Sequence, residues 1–138
     1  MLRSLLAVIG SAFVGANVTR LLGKYINSAY PMPEGLIVND EASYVAFFES
    51  LPQSVYYWIL ATHLAGALIT GFLAYKIALT KKKMLGLISI ALLICLVLYS
   101  IIIMPSPLWL KFIDPILILV FGYLGIYLAQ FSTRSVVK

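Results

Sequence analysis

The sequence predicts an all-α integral membrane protein, a four-helix antiparallel bundle with a short extra helix in the outer loop between the first and second spans. Three observations predict it. Hydrophobic residues make up 62% of the chain, charged residues only 11%, and the mean hydropathy is +1.02, whereas soluble domains are about half apolar and a quarter charged. The apolar residues gather into four stretches, approximately 4–22, 54–79, 84–103 and 108–131, each close to the roughly 20 residues a helix needs to cross a bilayer. Basic residues are distributed unevenly between the gaps. These stretches and one outer loop, residues 25–53, use most of the 138 residues, and residues 1–138 are read as a single transmembrane domain.

The first stretch has features of a signal peptide, with Arg3 ahead of an apolar run and the small residues Gly15 and Ala16 after Val14. It is read here as an uncleaved helix from Ser4 to about Leu22. Ala7, Ser11 and Gly15 recur every four residues, the small-residue spacing that lets helix backbones approach closely in lipid. Asn17, Arg20 and Lys24 follow at intervals of three and four and place a polar stripe on its outer end.

In the loop, Pro31, Pro33 and Gly35 break helical structure, while Glu34, Asp40, Glu41 and Glu49 add acid. Asp40 is expected to cap a short helix reaching Leu51, with Tyr44, Phe47, Phe48 and Leu51 on one side, lying on the membrane or over the bundle. Glu34 lacks a positioned partner and is no catalytic candidate.

The second stretch, Tyr56 to Lys76, begins with aromatic residues and ends with lysine, the order of a helix crossing from outside to inside. It carries His63, the chain's only histidine, below the outer surface. An ionisable side chain at that depth needs a partner or a water-filled cavity. Gly66 and Gly71 are its candidate packing residues. Lys81, Lys82 and Lys83 form a turn, and the third span, Met84 to Ile103, ends at prolines 105 and 107. Ser89, Tyr99 and Ser100 are its candidate interhelical donors, and Cys95, flanked by Leu, Ile and Val, is read as an inert packed thiol. In the fourth span Asp114 precedes Pro115. Either Asp114 caps a helix that starts at the proline, or the helix begins at Pro107 and kinks at Pro115.

Arg3, Lys76, Lys81, Lys82, Lys83, Arg134 and Lys138 fall on one side of this arrangement, against Arg20, Lys24 and Lys111 on the other. By the positive-inside rule both termini are cytoplasmic. The net charge of +5 follows from topology rather than from a patch with interleaved aromatics, so nucleic acid is not an expected partner. Sliding the second span by 51 positions onto the fourth matches Trp58 with Trp109 and Gly71 with Gly122, and sets His63 on Asp114. That register puts the two at one depth, five residues or about 7–8 Å below a tryptophan, with Asn17 and Arg20 entering the same layer. His63, Asp114, Arg20 and Asn17 are therefore the candidate binding or proton-coupling residues.

The pattern P-x-P-E-G at Pro31 to Gly35, His63 with Gly66, MPSPLW at Met104 to Trp109, Asp114, and YLG at Tyr123 to Gly125 resembles a family of short uncharacterised bacterial four-span membrane proteins. Members place a glycine seven positions after the histidine, where Thr70 stands here and Gly71 follows. The resemblance implies a four-span fold in a bacterial cytoplasmic membrane and no particular chemistry.

Three functions fit. The leading one is a non-enzymatic subunit or helper that packs against another membrane protein through its small-residue faces. The second is a small transporter or proton-coupled carrier, a homo-oligomer because four short helices make a narrow bundle, with the polar layer lining an outward cavity. The third is an enzyme using His63 as acid or base, although none of the usual hydrolase, metalloprotease or phosphate-loop motifs is present. One histidine and one cysteine supply no metal site, no catalytic residue is assigned, and no cofactor is expected. The lipid bilayer is the one partner common to all three.

Overall fold

The computed structural model describes residues 2–33 and 40–134, and Glu34 and Gly35 lie outside them. Of the described residues 88% are helical and none is in a strand. The helices are α1 (Leu2–Ala29), α2 (Glu41–Ser50), α3 (Gln53–Ile77), α4 (Lys82–Ile103) and α5 (Leu108–Arg134). All but α2 are long and apolar enough to cross a membrane.

The first helix runs well past Leu22, because no proline interrupts it before Pro31, and the first residues of the expected loop are its last turns. It also contains a π turn at Leu6–Gly10. Such a turn carries one residue more than an α-helical turn. The Val8 carbonyl within it accepts from the Ser11 backbone N–H and, at 2.9 Å, from the hydroxyl of Ser89.

Asp40 does not cap α2 through a backbone N–H. Its carboxylate accepts from the hydroxyl of Ser43 instead, a local side-chain bond that competes with capping. Pro115 lies inside α5, which begins at Leu108, so the proline is passed through rather than used as a start. Lys81 opens α4 in the left-handed backbone region, with φ of 47°, which allows the chain to reverse across very few residues.

α3 is the centre of the molecule and touches α1, α4 and α5. In lipid the surroundings of a helix are as apolar as its partner, so close packing and hydrogen bonds must hold helices together. The glycines show how. A Cβ built on Gly15 would stand 1.9 Å from the Thr70 hydroxyl and 2.6 Å from the Gly66 carbonyl. One on Gly71 would meet the Gly122 carbonyl at 1.9 Å, and one on Gly125 the Leu68 carbonyl at 2.1 Å. Backbones thus touch at α1–α3 and twice at α3–α5. Ile90, Leu93, Ile101, Ile118 and Ile126 fill the space beyond them.

Cys95 is exposed on α4, not packed as expected. Leu92 and Leu96 beside it belong to the apolar outer surface, while Leu93 and Ile94 turn toward the core. Phe13, Tyr57, Tyr99, Ile102 and Phe112 are likewise more than half exposed, a surface that suits lipid and would be a liability in water.

Candidate functional site

His63 sits midway along α3 and Asp114 in the second turn of α5. Their helices are held together by the Gly71–Gly122 and Gly125–Leu68 contacts, and this proximity lets an imidazole and a short carboxylate meet. Nδ1 of His63 lies 2.6 Å from Oδ2 of Asp114. Asp114 is wholly buried and His63 nearly so. An ionised carboxylate only accepts, so in that state Nδ1 carries the hydrogen. Nε2 then remains free as an acceptor, or as a donor once protonated. Two atoms of the pair have no hydrogen-bond partner among the described residues: Nε2, and Oδ1 of Asp114, which is buried.

His63 lines a cavity of about 680 Å³, within the roughly 300–1,000 Å³ of small-molecule sites. α1 contributes Thr19 and Arg20, α4 contributes Ser100, Ile101 and Met104, and α2 covers it with Tyr44, Phe47, Phe48 and Leu51. α2 is fastened there by the Tyr56 hydroxyl, which donates to the Phe48 carbonyl at 2.7 Å, and Phe48 is buried, its ring edge-on to Tyr44 and Phe47 of its own helix. Asp40 and Glu49 line a separate pocket with Ala42, Val45 and Ala46, so these two acids belong to the other face of α2.

The other two candidates divide. Arg20 lines the cavity and makes no hydrogen bond or ion pair among the described residues. Asn17 does not join the layer, for its amide donates to the Phe13 carbonyl of its own helix at 2.8 Å. That i to i−4 bond is always available to a short polar side chain on a helix.

The packing candidates Ala7, Ser11, Gly15, Gly66 and Gly71 are all buried. Around Ser11 they form a second polar cluster that the spacing did not reveal. The hydroxyls of Ser11 and Ser89 are 2.6 Å apart, and that of Thr70 donates to the Gly66 carbonyl at 2.9 Å and to the Ser11 carbonyl at 3.3 Å. Ser11 and Thr70 were each visible in the sequence, one as a small residue and the other as a departure from glycine. Only the fold shows that Gly15 makes room for Thr70.

No family model, curated protein or solved structure matches the chain.

Proposed function

We propose that this protein is a small membrane carrier whose outer cavity binds a ligand, with the His63–Asp114 pair taking or releasing a proton as the cavity fills. The observation that carries this reading is His63, which lines the cavity, is backed by a buried carboxylate and leaves Nε2 without a hydrogen-bond partner among the described residues. Imidazole is the side chain whose charge most readily changes near neutral pH. Among the described residues, the charged and titratable groups facing it are Asp114 from α5, Arg20 from α1 and, across the cavity, Tyr30 of α1's C-terminal end and Tyr44 of α2.

The helper reading rested on small-residue faces seeking partners, and those faces find partners within the chain. For the enzyme reading, no nucleophile is hydrogen-bonded to Nε2 among the described residues. In the same proposal the four spans form an antiparallel bundle in a cytoplasmic membrane with both termini inside. The sequence Gly15–Gly66 then Thr19–Thr62, which climbs one helix while descending the other, supports this, as does the crowding of lysine and arginine at one end. The family likeness of the Pro31–Gly35 and Met104–Trp109 motifs is part of the proposal on the same footing.

Cysteine labelling tests both parts in a Cys95→Ser background. From outside intact cells a small charged thiosulfonate is expected to modify Ile59→Cys, whose side chain lines the cavity, and to leave Lys82→Cys and the core position Ile118→Cys untouched. An unreactive Ile59→Cys refutes the outward cavity. A reactive Lys82→Cys inverts the orientation.

A further inference from the structure

We infer that the cavity accepts a single-chain amphiphile with an anionic head, the head against Arg20 and Nε2 of His63 and the alkyl chain along the apolar wall. The inference rests on the cavity reading above and adds the chemical class of its occupant. Among the described residues Arg20 is the only formally charged side chain lining the cavity, and among them it has no ion-pair partner. A guanidinium presents a planar fork that fits a carboxylate or phosphate with two parallel bonds. A cationic head would be repelled there, and a neutral one would leave the guanidinium unmatched.

The three acids whose side chains are described, Asp40, Glu49 and Asp114, do not oppose this assignment. The Asp114 carboxylate stands behind the imidazole and does not line the cavity, and Asp40 and Glu49 line the pocket on the other face of α2. The rest of the wall is predominantly apolar, with Val55, Ile59, Ile101 and Met104 below the aromatic side of α2. A charged head alone would gain nothing from it, whereas a chain buries there about 0.8 kcal/mol per methylene relative to water.

A second feature points to lipid as the source. An apolar groove of about 510 Å³ runs between α1 and α3, lined by Leu22, Tyr25 and Trp58, and shares Ile26, Tyr30 and Thr62 with the cavity. Tyr25 and Trp58 are strongly exposed, so this groove opens on the flank that faces hydrocarbon and headgroups. An amphiphile can slide its chain from the bilayer through the groove while its head travels at the depth of the arginine.

The test uses the full-length protein in phosphatidylcholine nanodiscs, with empty nanodiscs subtracted for partitioning. An 11-dansyl-undecanoate probe should show saturable binding, displaced by dodecanoate or lysophosphatidate. Inorganic phosphate and dodecyltrimethylammonium should not displace it. Arg20→Gln, at an exposed position outside the packed core, should weaken dodecanoate about tenfold, the loss expected of one charge-assisted bond, and leave dodecanol unchanged. Ile59→Trp should abolish binding of both by filling the space. Equal displacement by dodecanoate and dodecyltrimethylammonium, displacement by phosphate alone, or an Arg20→Gln variant with unaltered dodecanoate affinity each overturns the inference. If Ile59→Cys is labelled from outside while no anionic amphiphile binds, the cavity stands and this ligand class falls.

Discussion

Toward the lysine end of the molecule, Ser11, Ser89 and Thr70 are fully buried hydroxyls that bond one another or a backbone carbonyl, in a region where glycine lets α1 and α3 touch. Toward the tryptophan end, His63 and Asp114 are also buried and bonded, yet one atom of each has no partner among the described residues and a cavity adjoins them. The first cluster uses neutral groups that can satisfy themselves locally. The second uses ionisable groups whose capacity exceeds what the protein supplies around them. Polarity inside a membrane protein is therefore not one signal: satisfied hydroxyls report assembly, and unsatisfied ionisable groups beside space report a ligand or a proton.

The largest effect that separates the two regions is expected from His63→Leu. It removes the partner of a wholly buried carboxylate, and breaking a buried pair in this way costs about 3–5 kcal/mol. Unfolding by steric trapping should show that loss, and His63→Leu with Asp114→Leu should recover much of it. A single variant as stable as the double would show that the carboxylate does not depend on the imidazole.

Next in size are the glycine contacts. Gly71→Ala and Gly125→Ala force a methyl group into facing backbone, a form of overpacking that costs about 1–3 kcal/mol. Gly10→Ala and Gly23→Ala meet nothing within 4 Å and should be neutral or slightly stabilising. Thermal unfolding in detergent compares all four, and equal melting temperatures would remove the argument that backbone contact holds α3 to α5.

Ser89→Ala should have the smallest effect, about 0.6 kcal/mol, the average for interhelical hydrogen bonds in membranes. It removes the Ser89 donor from the Val8 carbonyl, which keeps the Ser11 backbone N–H. A loss as large as that of His63→Leu, measured in the same unfolding assay, would erase the distinction between the two regions.

The four spans were legible because a bilayer imposes length and hydropathy on each, and these can be counted one segment at a time. The meeting of His63 with Asp114 was legible through the 51-residue register shared by two tryptophan-headed segments. The π turn was not, since Leu6–Gly10 is as apolar and regular as its surroundings, and the extra residue reveals itself only where Ser89 meets the Val8 carbonyl. Asn17 and Cys95 were misplaced for a related reason. Spacing assigns a residue to a face of its own helix, but not to what that face meets.

The 51 residues separating His63 from Asp114 also order events during synthesis, because the chain emerges N-terminus first. The imidazole, which can enter a bilayer uncharged, is delivered two spans before the carboxylate. Asp114, the more expensive passenger, arrives on the last span, when its acceptor site, the α3 surface with its glycines and its histidine, is already in the membrane.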